Sequence, residues 1–238
     1  MRLDALLVQK GLAPTGEKAR ALILAGVVEV DGKRADKAGK DVRENSIVTV
    51  KEDPNPYASR GGLKLEAALK SFGIDVSGLI MLDAGASTGG FTDCLLQHGA
   101  ARVIAVDVGY GQLAWKIRND PRVTVLEKTN IRYLSKVDTA LDGAVIDVSF
   151  ISLKLVIPPV SRLLKEKAFI IALIKPQFEA GKESVGKGGV VRDPALHKAI
   201  IKDIEDFSAK AGWTVKGLIP SPLLGPKGNR EFLIHLER

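Results

Sequence analysis

The stretch "LDAGASTGGFTDCLL", Leu82 to Leu96, sets a glycine-rich turn between an apolar run and a helical pattern. Bare backbone at the end of such a run lets a ligand approach main-chain N–H and C=O groups. Three templates test which ligand that is. The spacing G-x-x-x-x-G is met from Gly85 to Gly90, but Phe91 stands where a phosphate-binding loop needs lysine, which argues against a nucleoside triphosphate. The dinucleotide fingerprint G-x-G-x-x-G fails at Ser87, whose side chain falls where a pyrophosphate needs glycine. "GASTG" does fit G-x-S-x-G with Ser87 as a hydrolase nucleophile, a reaction that also needs a late histidine and a preceding acid. His197 lies in a helical stretch and His235 alternates within the last apolar run, so neither occupies an obvious sheet-edge loop.

"RVIAVDVGYG" places Asp107 at the end of the next apolar run, 22 residues after Gly85, where open α/β folds grip ribose hydroxyls with a carboxylate. A helix N-cap is the alternative role for this aspartate. A glycine turn without a phosphate clamp, followed by a ribose-gripping carboxylate, suits S-adenosylmethionine. The amino-acid end of that molecule uses backbone amides and carbonyls and carries no phosphate to neutralise.

The elements that must position these residues have a regular order. "LIMLDAG", "RVIAVDVG", "VTVLEK", "GAVIDVS" and "AFIIALIK" have strand length and β-branched content, and they alternate with helical stretches. That alternation predicts a mainly parallel sheet covered on both faces, an α/β architecture. "GGLKLEAALKSFG" predicts a helix ending at Gly73 before the first of these strands. "WTVKGLIPSPL" and "NREFLIHLE" are separated only by "LGPKG", too little for a crossover helix, so they should form an antiparallel hairpin.

Residues 1–53 form a separate pattern. "RLDALLVQKG" and "EKARALILAG" read as helices, the second ended by Gly26. "VVEVDGKRAD" reads as a strand running into an Asp-Gly turn, and "NSIVTVKED" as another strand. "PNPYAS", residues 54–59, marks a linker, and residues 60–238 make the larger domain. The chain has 238 residues, 45% of them hydrophobic, enough for one ordinary domain and a small one. No window approaches the ~18 apolar residues of a membrane span, and Asp4 and Lys10 interrupt the place of a signal peptide. A soluble cytoplasmic protein is expected. Membrane lysis would have neither a span nor a long basic amphipathic helix to act through. The lone Cys94 can form neither an internal disulfide nor a multi-thiolate metal site; it fits the apolar pattern of "FTDCLL" as a small core residue. The net charge of +7 suits a polyanionic partner such as nucleic acid.

Six segments in order, "LDAGASTGGFTDCLLQHGA", "VIAVDVGYGQLAWKIRNDPRV", "KTNIRYL", "VIDVSFISL", "LIKPQFEAGKE" and "GNREFLIHL", resemble the hemolysin-A-type (TlyA-like) rRNA methyltransferases, relatives of the FtsJ-type ribose 2′-O-methyltransferases. The resemblance implies a Rossmann-like seven-stranded methyltransferase sheet, its last strand antiparallel and inserted beside the fifth. It also implies a Lys-Asp-Lys-Glu catalytic set, carried here by Lys64, Asp147, Lys175 and Glu231. The strand reading supports this: Asp147 and Lys175 end successive parallel strands, and Glu231 begins one running the other way, at the same edge. Taken singly, each residue also has an ordinary structural role, as a cap, a strand exit or a surface charge.

The donor, S-adenosylmethionine, is expected to lie against Asp83, the turn of Gly85, Ala86, Ser87, Thr88, Gly89, Gly90 and Phe91, and then Asp107, Val108, Asn130, Ile131 and Asp147. Asp83 serves equally as an anchor of the turn. Lys175 is the residue expected to contact the reacting ribose oxygen. A lysine removes a proton near neutral pH only if its pKa falls far below ~10.4; burial and Lys64 would lower it, Asp147 and Glu231 would raise it, and the sequence leaves the net direction open. Orientation of the hydroxyl is therefore expected to matter at least as much as proton removal.

"RLDALLVQKGLAPTGEKARALILAGVVEVDGK" is similar to an S-four-like RNA-binding domain, an α+β module first known from a small-subunit ribosomal protein. Arg2, Lys10, Lys18, Arg20, Lys33 and Arg34 are its candidate phosphate contacts. Thr15 is followed by Gly16 where members of that family commonly carry arginine, which removes one contact. "EAGKESVGKGG" reads as an RNA-facing or simply solvated loop. The partner implied is ribosomal RNA or a ribosomal subunit, with cytidine the target; no membrane, metal or obligate protein partner is inferred. A non-catalytic RNA-binding protein is the principal alternative.

Overall fold

Leucines at helical spacing bury one face of α1 (Leu3–Gln9), and Ala19 and Ile23 do the same for α2 (Gly16–Ala25). Thr15 caps α2 by accepting from the Lys18 amide at 3.2 Å, and Gly26 ends it at φ +73°. Strands β1 (Val28–Val30), β2 (Lys33–Arg34) and β3 (Val48–Val50) follow, paired antiparallel in the order β2-β1-β3. Asp31 and Gly32, at φ +51° and +76°, close the β1–β2 hairpin with the backbone that an Asp-Gly pair favours. These elements share one small core with Leu3, Leu6, Leu7 and Ile23 at its centre.

The computed structural model describes residues 1–51, 55–181, 186 and 188–238. Two compact units emerge, Met1–Pro56 and Tyr57–Arg238. Pro54, in the expected linker, lies outside the described residues. Tyr57 and Ala58, also from that stretch, are held by the second unit: Tyr57 sits in its core and the Ala58 amide donates to Asp93 Oδ2 at 2.8 Å. Of the expected RNA-facing loop, residues 182–185 and 187 lie outside the described residues.

The second unit begins with α3 (Gly61–Phe72), closed by Gly73 at φ +66°. Then come β4 (Ile80–Ala84), α4 (Gly90–Gln97), β5 (Arg102–Val106), α5 (Trp115–Arg118), β6 (Val123–Leu126), β7 (Leu141–Ile146), α6 (Ile157–Ser161), β8 (Leu164–Ile174), α7 (Pro176–Glu179), α8 (Pro194–Lys210), β9 (Thr214–Pro220) and β10 (Phe232–Glu237). The seven strands form one sheet in the order β6-β5-β4-β7-β8-β10-β9. Pairing is parallel from β6 to β8, and β10 runs antiparallel to both β8 and β9. This is the expected seven-stranded α/β sheet, with the last strand inserted beside the fifth.

Successive strand residues face opposite sides, so each buried run feeds two cores. Leu82, Ile104, Ala144, Ile146, Ile170 and Ile234 pack with Val160 of α6 and Ile204 of α8. Met81, Val103, Val145, Ile171 and Leu233 pack with Leu65 of α3 and Leu95 of α4 on the other face. Cys94 belongs to this second core, fully buried, and burial pushes its thiol pKa up to about 12, as suits a packing residue. No helix among the described residues is long and apolar enough to cross a membrane.

Leu95 is fully buried against the sheet. Leu95→Ala is expected to cost about 2–5 kcal/mol of unfolding free energy, read from the shift in urea midpoint at unchanged slope.

Candidate active site

Parallel pairing sets the first row of site residues. β4 and β5 end together at Ala84 and Val106, and β4 and β7 at Ala84 and Ile146. Gly85, Asp107 and Asp147 are the next residues on those three strands, at the carboxyl edge where open α/β sheets bind ligands. Close approach accounts for the glycine. A β-carbon on Gly85 would lie 2.6 Å from the Asp147 carbonyl oxygen, and its φ of +92° disfavours any L side chain. The turn then doubles back: the Gly85 and Ala86 amides both donate to Val106 O, Ser87 sits at φ +47°, and Gly89 at φ +93° opens α4.

Asp107 is held by the turn it serves. Its Oδ2 accepts from the Ser87 amide at 2.8 Å and its Oδ1 from the Gly109 amide at 2.7 Å. Each oxygen retains a lone pair for a ligand hydroxyl. The N-cap alternative does not occur, since the next helix, α5, starts at Trp115 with Ala114 as its cap.

A cavity of about 710 Å³ opens along this edge, within the common range for small-molecule sites. Of the residues expected to hold a donor, Gly85, Ser87, Asp107, Val108, Asn130, Ile131 and Asp147 line it. Asp83, Ala86, Thr88, Gly89, Gly90 and Phe91 stand outside that lining. Phe91 and Ala86 are buried in the core beneath the turn. A β-carbon on Gly90 would lie 2.2 Å from Ser59 Oγ and 3.0 Å from the Gly62 amide, so Gly90 lets α4 pass close to the start of α3. Thr88 accepts from the Ala114 amide through its carbonyl.

Asp83 is fully buried; Thr92 Oγ1 donates to its Oδ2 at 2.6 Å, and its Oδ1 has no hydrogen-bond partner among the described residues. Burial, with a contribution from Asp147 and Asp107, pushes its pKa up to about 7 despite the Thr92 hydrogen bond.

The four charged residues form two pairs. Lys175 Nζ lies 2.6 Å from Asp147 Oδ1 and donates to Ser149 Oγ at 3.0 Å. The contact with Asp147 is close but poorly aligned, leaving Oδ1 a buried acceptor without a directed hydrogen bond. Lys64 Nζ donates to Glu231 Oε2 at 2.6 Å, with the Glu231 side chain fully buried. Glu231 and Lys175 are each the next residue beyond the Phe232–Ile174 pair, so antiparallel β8–β10 pairing brings the two dyads to one edge.

Ser87 Oγ lies 3.5 Å from Gln112 Oε1. His197 Nε2 is engaged with Val191 O at 3.0 Å, and His235 stacks on Phe72 in the core. That arrangement gives Ser87 no histidine base.

Sequence reasoning passed over residues on the β7–β8 side of the cavity. Ser149, Phe150, Ile151 and Phe178 line it there, and Phe150 holds φ +64° with 90% of its surface exposed. The Phe150 and Phe178 rings are 4.9 Å apart. The only signal was their place inside "VIDVSF" and "KPQF", directly after Asp147 and Lys175.

In the first unit, Lys10, Lys18 and Lys33 are exposed, as phosphate contacts must be. Arg2, Arg20 and Arg34 are exposed as well; Arg2 pairs with buried Asp4 through Nε and Nη2, at 3.0 and 2.8 Å. Arg20 bonds Gly16 O at 3.2 Å, and Arg34 lays its guanidinium over Gly26.

Residues 57–238 match the FtsJ-like methyltransferase family and residues 1–48 the S4 domain. YqxC of Bacillus subtilis, provisionally named an rRNA methyltransferase, is 54% identical over 99% of this chain and 85% of its own. The 16S/23S rRNA (cytidine-2′-O)-methyltransferase TlyA of Mycobacterium tuberculosis is 48% identical over 99% of this chain and 89% of its own. A solved Streptococcus thermophilus protein, provisionally called a hemolysin, superposes with a TM-score of 0.79 at 45% identity, covering 100% of this chain and 88% of its own.

Asp83 generates a signed pH dependence. Its folded pKa of about 7 lies above the unfolded value, so its contribution is full below about pH 4 and is lost as pH rises towards 7. Relative to Asp83→Asn, the wild type is expected to lose on the order of 1 kcal/mol per pH unit across that window. Paired urea melts at pH 5, 6 and 7 check this; a constant difference would show that Asp83 does not titrate there.

Proposed function

The chain belongs to the FtsJ-like methyltransferase family, and from that premise we propose that it transfers a methyl group from S-adenosylmethionine to a ribose 2′-hydroxyl of ribosomal RNA, at cytidine. The observation that carries the reading is the Lys175–Asp147 pair, 2.6 Å apart, whose Asp147 lines the same cavity as Asp107. The relatives' names support the acceptor, and the S4 match with the exposed lysines of the first unit supports a ribosomal RNA partner.

The residues present fit the donor. Asp107 presents a carboxylate oriented by two backbone amides, suited to a ribose diol. Gly85 and Ser87 expose the turn backbone at the cavity. Asp147 lines the cavity with a partly exposed carboxylate, which suits a ligand that donates. Gly85, Ser87, Asp107, Val108, Asn130 and Ile131 would hold S-adenosylmethionine, which when bound supplies an electrophilic methyl group on a sulfonium.

Lys175 then has a defined task. An ammonium offers three hydrogens; one goes to Ser149, and the ion pair with Asp147 is not a directed bond, which leaves a hydrogen for the acceptor oxygen. A hydroxyl held this way keeps a lone pair free for the incoming carbon and can donate its own hydrogen to the Asp147 carboxylate. As that oxygen gives electrons to carbon its proton becomes strongly acidic, and a carboxylate within hydrogen-bond reach takes it. Buried Glu231, paired with the partly buried Lys64, completes the edge. Removing either partner would strand a buried charge, so variants of that pair mix stability with chemistry. Lys10, Lys18 and Lys33 neutralise phosphates of the RNA, and this part of the affinity falls with salt.

Asp107→Ala is expected to weaken S-adenosylhomocysteine binding about 100-fold, as loss of two charge-assisted hydrogen bonds implies. Lys175→Ala should keep that affinity within twofold and lower methyl transfer to unmethylated ribosomal subunits at least 100-fold, measured as incorporated labelled methyl. Transfer within twofold of wild type in Lys175→Ala would remove this lysine from the reaction. A wild-type chain that binds RNA and no donor would instead be a non-catalytic binder.

A further inference from the structure

Two segments meet on the β7–β8 side of the cavity: residues 147–153 after β7, and residues 175–179 after β8. They are tied at three places. Lys175 reaches Asp147 and Ser149, and the Phe178 ring packs at 4.9 Å on Phe150. The third tie belongs to Glu179, to which the reaction above gives no role. Its Oε1 accepts from the Leu153 amide at 2.8 Å and its Oε2 from Ser152 Oγ at 2.6 Å.

This tie has something to hold. Phe150, between the anchors, adopts φ +64°, a region costly for a bulky side chain. The residue is 90% exposed, so burial does little to offset that strain. Such a conformation persists when its flanks are over-determined. Here one flank, Ser149, is fixed by Lys175, and the other, Ser152 with Leu153, by Glu179. Ser149, Phe150, Ile151 and Ser152 all line the cavity, on the side away from Asp107. The wall is therefore only as rigid as the two ties that frame it.

We infer that Glu179 is a positioning residue: by binding Ser152 and the Leu153 amide to the helix that carries Phe178, it fixes the Phe150 segment as the wall against which the acceptor nucleoside is held. The inference rests on the methyl-transfer reading. It assigns Glu179 to the acceptor half of the cavity and leaves the donor half to the glycine turn. Burial raises the Glu179 pKa above the ordinary carboxylate value, against the pull of its two hydrogen bonds, so the tie has a titration that can be observed directly.

The test uses the full chain, S-adenosylhomocysteine as the donor-site probe and unmethylated ribosomal subunits as acceptor. Glu179→Ala is expected to speed hydrogen exchange of the Leu153 amide at least tenfold, raise KM for the subunits about tenfold, and leave Kd for S-adenosylhomocysteine within twofold. Glu179→Gln, which keeps an acceptor oxygen and guards against misfolding of the alanine variant, should fall between. In the wild type the Leu153 amide NMR shift should titrate with a midpoint above the usual carboxylate range, and in Glu179→Gln it should not. An unchanged KM in a folded Glu179→Ala protein, or an equal loss of S-adenosylhomocysteine affinity, would overturn the inference while leaving the methyltransferase reading standing. A wild-type chain that binds the probe and methylates no subunit would overturn that reading, and the acceptor role with it.

Discussion

The contact between Lys175 and Asp147 is the constraint from which the rest of the site follows. Two opposite charges 2.6 Å apart at the ends of neighbouring strands are favourable only where backbone rigidity holds them, since each loses water on being brought together. The β7–β8 ladder supplies that rigidity, with 11 residues of β8 running through the sheet to reach Lys175. Parallel pairing on one side and the antiparallel return of β10 on the other then oblige Gly85, Asp107 and Glu231 to gather at the same edge. Five points far apart in the chain meet because five strands end or begin there.

The glycine turn divides its labour. Gly85 permits contact with the neighbouring strand, Gly90 permits α4 to pass close to α3, and Ser87 accepts a left-handed backbone while its amide orients Asp107. Only part of the turn therefore faces the cavity. The rest is packing, which sets where the ligand-facing atoms stand, and Asp83 beneath it holds Thr92 of α4 through a short hydrogen bond. A binding motif and a helix-packing motif share the same residues.

Much of this was legible before any coordinates. Apolar runs of strand length, the short link before the last strand and the glycines at 26 and 73 announced the elements they form, because each depends on local backbone chemistry. β8 starts at Leu164, earlier than its apolar run at Ala168, because "KEK" is exposed and carries no hydrophobic signal. Pairings between distant residues were harder. That Glu231 meets Lys64 across 167 positions depends on how elements pack and not on spacing. Glu179 and Phe150 were invisible as site residues, since exposure, strain and partners are properties of the folded chain. The separation of the turn into cavity-facing and core-facing residues was hidden for the same reason.

A crystal structure of the chain with S-adenosylhomocysteine would decide most directly whether one cavity unites these parts. The ribose hydroxyls should lie on the Asp107 carboxylate, with the thioether sulfur facing the Lys175–Asp147 pair. A ligand bound elsewhere, or seated in the cavity with its sulfur turned away from that pair, would contradict the assignment of this edge as the place of methyl transfer.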